Sequence, residues 1–383
     1  MSQTDDFLTQ IESLPALITD CVPLMEPLTR KILSTPEIYG LRQIILTGSG
    51  DSFFAAAAVI PALRAWTGIP VQAMTSMEAA RYVDNSILPD SSNARGLLVI
   101  SISYSGEAAR GVEAAQRLRK MGAITIGFTA NPDSRLGKAV ERQVSTLIPN
   151  SAPAPGTRSY VASMIATYLL AIRISEVLMC MTMDEANRLR AEIQDSGAKL
   201  ENLVTELAPK LRKYAETWSN ATSMDVLGSG PSLATASYCA AKLVEAGGIH
   251  ASPQDIEEFH HLNFFVNEPS SIPTIVFSPS NSASASRASE LVIALQQLGR
   301  PTLFITDEDN SFACDNSILI PKFPEWLSPL AQTIPAAIIA AFSANIRNVT
   351  HYRGHDGPWR GAKDAGFVKN STIILKQQEE TNA

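Results

Sequence analysis

Lys242 and Glu245 stand three residues apart in a stretch, Ala240 to Glu245, that is otherwise small and apolar. On a helix, residues three apart share a face, so this ammonium and this carboxylate would meet. On a buried face both ionisations are perturbed, and the pair marks a functional site: a carboxylate able to take a proton beside a fixed cation. On an open face it is an ordinary helix ion pair. The following GGIHASPQDIEEFHHLNFF places Glu257, Glu258, His260 and His261 beside aromatics. A histidine near a carboxylate makes an acid–base pair if the fold joins them. His260 and His261 are adjacent, so at most one points into a given site; either also serves as a capping or surface histidine. His250 reads as structural. His351 and His355 have H-x-x-x-H spacing, but Gly354 and Gly357-Pro358 oppose the helix that a metal pair needs, so no metal is expected.

Two other segments carry donors. Thr47–Ser52 offers Ser49, Gly50, Asp51 and Ser52; Ser101–Gly106 offers Ser103, Tyr104 and Ser105. Each follows an apolar run and leads into a helical stretch. Free N–H groups at a helix start favour an anion, and hydroxyls add donors, so the pair reads as a phosphate cradle. Serine and glycine are also ordinary N-caps and turn residues. Gly48-Ser-Gly50-Asp-Ser-Phe53 lacks the third glycine of a dinucleotide fingerprint, and no G-K-[ST] P-loop is present.

The elements that must position these residues come from a duplication. LTGSGDSFFAAAAVIPALRAWTGI (Leu46 to Ile69) aligns without a gap on VLGSGPSLATASYCAAKLVEAGGI (Val226 to Ile249). Lys242 and Glu245 replace Ala62 and Ala65 of the first copy. Each copy reads as a strand, a tight turn and a helix stopped by glycine. Apolar runs Leu97–Ile102, Ile124–Phe128 and Gln143–Ile148 then alternate with helical stretches Glu107–Met121 and Ser134–Val140. In the second half, Ile272–Ser278, Thr302–Thr306 and Ser317–Ile320 alternate with Ser284–Leu298 and Ser328–Asn345. Apolar strands alternating with helices predict α/β architecture: two doubly wound, flavodoxin-like parallel-sheet domains in tandem. The expected boundaries are a helical lead-in at 1–34, a first domain at 35–195, a second at 196–350 and an irregular tail at 351–383. A long helical stretch, roughly Tyr160–Tyr214, is expected to join the halves. Ligands of such sheets bind beyond the carboxyl ends of the strands, where both donor loops lie.

Composition narrows the function classes. The 383 residues are 45% hydrophobic and 18% charged, with net charge −7, which excludes disorder and opposes nucleic-acid binding. The four cysteines are widely spaced, as reduced thiols of a cytoplasmic protein would be. The polar, acidic start MSQTDDFLTQIE is no signal peptide. Phe53–Leu63 and Tyr160–Ile172 fall short of the ~18 apolar residues of a membrane span, so no membrane association is expected.

Together, LTGSGDSFF, SISYSGEAA, TANPDSRLGKAVE, the segment Gly156-Thr157-Arg-Ser-Tyr160 and LGSGPS…AAKLVEAGGIHA…EEFHH resemble the sugar isomerase (SIS) domain proteins, over about residues 35–370. The pattern looks most like the isomerase half of glucosamine-6-phosphate synthase and the related Amadori-product deglycases. The resemblance implies that Gly50, Asp51, Ser52, Ser103, Tyr104, Ser105 and Thr157 bind a phosphorylated or otherwise anionic sugar. It further implies a catalytic helix bearing Lys242 and Glu245. By the same resemblance His261, sixteen residues after Glu245, would reach in from a neighbouring subunit of a homodimer with a shared active site. Lys369 matches a lysine near the C-terminus that meets an open-chain carbonyl. Ala108 stands where relatives often carry a phosphate-holding Thr, and Tyr104 where Gln is common. Residue 2 is Ser, and no glutaminase domain is read in this sequence, so a glutamine-driven amidotransferase is not expected from this chain alone. The implied activity is aldose–ketose isomerisation of a phosphosugar without cofactor, with Glu245 as base. A fructosamine-6-phosphate-type deglycase, which would not need Lys369, and a non-catalytic sugar-phosphate sensor are the alternatives.

Overall fold

A computed structural model describes residues 3–89, 93–351, 353, 358 and 368–375. The first half contributes β1 (Gln43–Gly48), β2 (Val71–Thr75), β3 (Leu97–Ile102), β4 (Ile124–Thr129) and β5 (Arg142–Ser145). The second contributes β6 (Ser223–Gly228), β7 (His250–Gln254), β8 (Thr274–Phe277), β9 (Thr302–Asp307) and β10 (Ser317–Ile320). They form two five-stranded parallel sheets, β2-β1-β3-β4-β5 and β7-β6-β8-β9-β10. Matching β1 to β6 makes the two orders identical, so the repeat in sequence is a repeat in topology. The central strands β3, β4 and β9 are buried at every residue, as a sheet covered on both faces requires.

The lead-in is α1 (Gln3–Glu12), α2 (Leu14–Lys31) and α3 (Thr35–Gly40). The first sheet is dressed by α4 (Asp51–Thr67), α5 (Ser76–Arg81), α6 (Ala109–Lys120), α7 (Arg135–Ala139) and α8 (Arg158–Val177). After α9 (Met183–Lys199) and α10 (Leu203–Thr217) come α11 (Pro231–Glu245), α12 (Ile256–His261), α13 (Ala285–Gln297) and α14 (Ser328–Ile346). The expected helical connection is made of three helices, α8, α9 and α10. It breaks at Met179, whose φ of 58° is left-handed, and α9 restarts on a Thr182 cap that accepts the Glu185 N–H. β2 and β7 were not anticipated: both are short, half-exposed edge strands, and Pro253 within β7 is tolerated only at an edge. β5 ends three residues before the expected Ile148.

One apolar core runs through both halves, joining α2, α4, α8, α11 and α14. Tyr160–Ile172, expected to be too short for a span, lies within Arg158–Val177. That helix and Glu325–Ile346 are long and apolar enough to cross a membrane, yet 83% and 100% of their most apolar windows are buried inside this fold. All four cysteines are free thiols.

The duplicated turns are near superimposable in backbone. Gly50 and Gly230 precede α4 and α11 with φ of 55° and 56°, a left-handed entry that glycine takes without strain. Leaving β1 and β6, these turns point both helices back through the molecule, where α4 and α11 pack against each other.

Candidate active site

The start of α4 meets the end of α11. Lys242 Nζ donates to Asp51 Oδ2 at 2.7 Å and to Glu245 Oε2 at 2.5 Å, so one ammonium links a carboxylate from each half. The Lys242 side chain is 0% exposed, Asp51 24% and Glu245 47%. The buried-face condition thus holds for Lys242, whose equivalent Ala62 is also buried. It does not hold for Glu245: that position lies at the helix end, and within the single chain the carboxylate faces a cleft. Burial opposes the Lys242 charge, but Asp51 and Glu245 outweigh it and hold the pKa above its ordinary value. Burial pushes the Asp51 carboxyl up, Lys242 only partly offsets this, and Glu245 adds to the rise.

Behind this cluster lies an aromatic wall. Tyr238, one turn before Lys242, places its ring 5.5 Å below the ammonium. It stacks on Tyr160 with centroids 4.3 Å apart and planes 12° from parallel. Burial, reinforced by the charge of Asp51, raises both phenol pKa values well above 10, so both stay neutral. The Tyr238 hydroxyl is 2.7 Å from Thr157 Oγ1. Sequence reasoning missed Tyr238, although its four-residue spacing from Lys242 places it on the same face.

It also missed the support beneath Glu245. Arg353 Nη2 donates to the Val244 carbonyl at 2.6 Å and to that of Glu245 at 3.0 Å, and Nη1 to that of Ala246 at 3.1 Å. A cation at the carbonyl end of a helix is favourably placed. His351 is 2% exposed, edge-on to Phe7 at 5.6 Å; burial lowers its pKa and the nearby Glu245 charge opposes that. His355, its partner in the H-x-x-x-H spacing, lies outside the described residues. Among the described residues no group of His, Cys, Asp and Glu could hold a metal.

The two donor loops lie side by side at the carboxyl ends of the adjacent strands β1 and β3. Gly50 is exposed and edges the cleft that Asp51 and Glu245 share, and Ser52 is half-buried. That cleft holds about 470 Å³ between Gly50, Asp51, Phe54, Ser237, Val244 and Glu245. Ser103 accepts the Gly106 N–H, Tyr104 is half-buried and Ser105 is exposed. Two residues matched to sugar binding are committed elsewhere. The Asp51 carboxylate is held by Lys242, leaving its backbone N–H as the anion-compatible group, and Thr157 is buried with its hydroxyl on Tyr238.

Other expected residues are not gathered by the single chain. His261 is 65% exposed, 3.4 Å from Glu257, and among the described residues no hydrogen bond or ion pair joins it to Lys242 or Glu245. His260 is instead half-buried and stacked on Phe264, and burial lowers its pKa. Lys369 is exposed, on a segment crossing the first half beside Ser103–Ala108.

Comparison with known proteins agrees with this fold. The SIS domain model matches residues 37–173 and 218–344, one segment on each sheet. The glutamine–fructose-6-phosphate aminotransferase [isomerizing] of Mycobacterium bovis is 24% identical over 330 residues, covering 85% of this chain and 50% of that protein. The chain thus spans about half the length of such curated relatives. The C-terminal domain of glucosamine-fructose-6-phosphate aminotransferase from Francisella tularensis superimposes with TM-score 0.80 at 17% identity, covering 90% of this chain and 97% of that one. Tagatose-6-phosphate ketose/aldose isomerase from Escherichia coli gives TM-score 0.63 at 18% identity, covering 98% and 95%. These structures share the fold. With both model segments spanning well over half its length, the chain belongs to the SIS domain family and carries that domain twice.

Proposed function

We propose that this protein is a phosphosugar isomerase that moves a proton between neighbouring carbons of an open-chain sugar phosphate. The observation that carries the reading is the bridge from Asp51 through Lys242 to Glu245, which spans the two halves and edges the cleft beside the anion loops. The loops orient the phosphate, which fixes the carbon chain against the end of α11. Glu245 then takes a proton from the carbon next to the carbonyl, giving an enediol, and returns it to the adjacent carbon. Net, one C–H and one O–H bond break and one C–H and one O–H bond form, the hydroxyl proton passing to the former carbonyl oxygen, with no redox partner. Lys242, held as an ammonium, is not the base; it orients Glu245 and balances charge as the carboxylate changes protonation. His261 of a second subunit would open the ring, and Lys369 would meet the open-chain carbonyl. Both roles, and the homodimer that the His261 role needs, rest on the family resemblance. Relatives acting on fructose 6-phosphate and tagatose 6-phosphate support the substrate class.

The test is an NMR time course with two samples. One holds the protein with glucosamine 6-phosphate, the other with a fructosyl-amino-acid 6-phosphate. Sugar interconversion in the first alone is the expected result. Free amino acid released in the second would replace the isomerase by a deglycase. Silence in both with phosphosugar still bound would point to a different anionic sugar or to a sensor.

A further inference from the structure

Glu113 is a carboxylate that the proposed reaction does not use, and it is 0% exposed. It sits in α6, one helical turn beyond the Ser103–Ala108 loop. Two guanidinium groups hold it: Arg81 Nε at 3.0 Å, from the end of α5, and Arg110 Nη1, from the start of α6. A guanidinium has five N–H donors in a fixed fork, so a carboxylate on one edge leaves the other edge aimed. Here both free edges point at one acceptor, the Thr372 carbonyl, reached by Arg81 Nη2 at 3.1 Å and by Arg110 Nη2; the latter also donates to Ser371 Oγ at 3.1 Å.

The same segment is fixed at three other points. Arg135, at the start of α7, donates to the Lys369 carbonyl at 2.6 Å. The Val368 carbonyl accepts the Ala109 N–H at 2.9 Å. Ile373 packs on the apolar patch of Val112, Ala115, Leu136, Ala139 and Val140. The Ala109 bond explains a local oddity: the N-cap of α6 is Ala108, whose methyl cannot accept a hydrogen bond, and the strap carbonyl satisfies the first helical N–H instead. The strap follows α14 of the second half in sequence, yet it is anchored at the mouth of the first-half anion loop.

We propose that Glu113, Arg110 and Arg81 form a clamp that seats residues 368–375 against that loop, making Arg110 a positioning residue for Lys369. This rests on the reading above in which Lys369 meets the open-chain sugar. Glu113 neutralises and aims the two arginines, the arginines grip backbone carbonyls, and the grip fixes where Lys369 leaves the chain.

The test uses the full chain carrying Arg110→Ala. Because this variant leaves Glu113 with one partner, Ile373→Asp is the companion, undocking the strap while leaving the buried pair intact. Amide hydrogen exchange followed by mass spectrometry reads the strap directly. Both variants should raise exchange about tenfold or more in peptides covering Ala109 and 368–375, with Leu97–Ile102 unchanged. Turnover of glucosamine 6-phosphate should fall to the level of Lys369→Ala, with KM within about threefold, and Arg110→Ala/Lys369→Ala should be no slower than Lys369→Ala alone, as for one coupled unit. An unmoved strap in both variants overturns the clamp. A double variant slower than Lys369→Ala, or a large rise in KM, overturns the positioning role by making Arg110 act on substrate. Full turnover by Lys369→Ala while Glu245→Ala is inactive refutes the part assigned to Lys369 without touching the isomerase reading.

Discussion

Replacing Lys242 by methionine keeps the length and apolar stem of the side chain and removes its charge. Asp51 and Glu245 then face each other without the ammonium that lies 2.7 Å and 2.5 Å from them. Glu245 is half exposed and can turn to water, so Asp51 carries the cost. Its escape is to bind a proton, which costs about 1.4 kcal/mol for each pH unit above its ordinary 3.8. That is about 4 kcal/mol at pH 7 and about 1.6 kcal/mol at pH 5. The pH 7 figure agrees with the ~3–5 kcal/mol typical of breaking a buried ion pair by removing one partner. The sign follows from a carboxyl whose folded pKa is raised. Its favourable contribution is complete below 3.8 and is lost as pH climbs through the folded value; deleting Lys242 moves that value higher still. Urea unfolding of Lys242→Met against the parent should therefore show a deficit at pH 7 that shrinks by more than half at pH 5. Adding Asp51→Asn should recover about 2 kcal/mol or more at pH 7. Equal deficits at both pH values, with no recovery, would refute the claim that Lys242 is there to hold the Asp51 charge.

Glu245→Gln should lower kcat by about 10²–10⁴-fold, as expected for losing a general base, with KM little changed and a melting temperature near the parent's because the side chain is half exposed. Gly50→Ala and Gly230→Ala impose the same left-handed strain, and an added methyl has room at Gly50 and only the Glu325 carboxylate at 3.5 Å at Gly230. Each should cost about 1–2 kcal/mol in denaturant unfolding, but only Gly50→Ala should raise KM for a phosphosugar. Mixing His261→Ala with Glu245→Ala, each inactive alone, should restore about a quarter of parental activity, because half the dimers become mixed and each mixed dimer keeps one intact shared site. No recovery after subunit exchange would place His261 outside the site of the neighbouring chain.

The fold was legible because its strongest signals are local and doubled. Central strands such as Leu97–Ile102 are continuous apolar runs, and the Gly-Ser-Gly turns recur at equivalent places in both halves. What escaped was short or depended on distant contacts. Nothing in VQAMT or HASPQ marks an edge strand, since half of each faces solvent. Lys242 and Glu245 stood out only because the first copy has alanines there. That the carboxylate meeting Lys242 belongs to Asp51, 191 positions earlier, follows from helix packing that no spacing encodes. The same holds for Arg353 beneath the end of α11 and for the arginine clamp on the tail.

The duplication also shows how the donor loops of the two halves differ. The turn before α11 repeats the turn before α4, and the loop after β8 is as rich in serine as the loop after β3. In the second half, however, the chain's own carboxylates take the donors. Ser229 donates to Asp255 at 2.7 Å, the Ser280 N–H to Asp307 at 2.6 Å, and Ser282 to Glu325 at 2.8 Å. Glu325 Oε1 also lies 3.5 Å from where a side chain on Gly230 would begin, at the N-terminus of α11 where an anion is best received. Among the described residues no carboxylate is bonded to Ser49, Ser52, Ser103, Tyr104 or Ser105. The two halves have thus diverged in complementary ways. The first keeps loops open to an external anion and has alanines at the end of its helix. The second fills its loops with internal anions and carries the lysine and glutamate at the end of its helix. Because α4 and α11 pack with the start of one against the end of the other, the open loops and the reactive pair fall at the same end of the helix pair, and the filled loops and the alanines at the other.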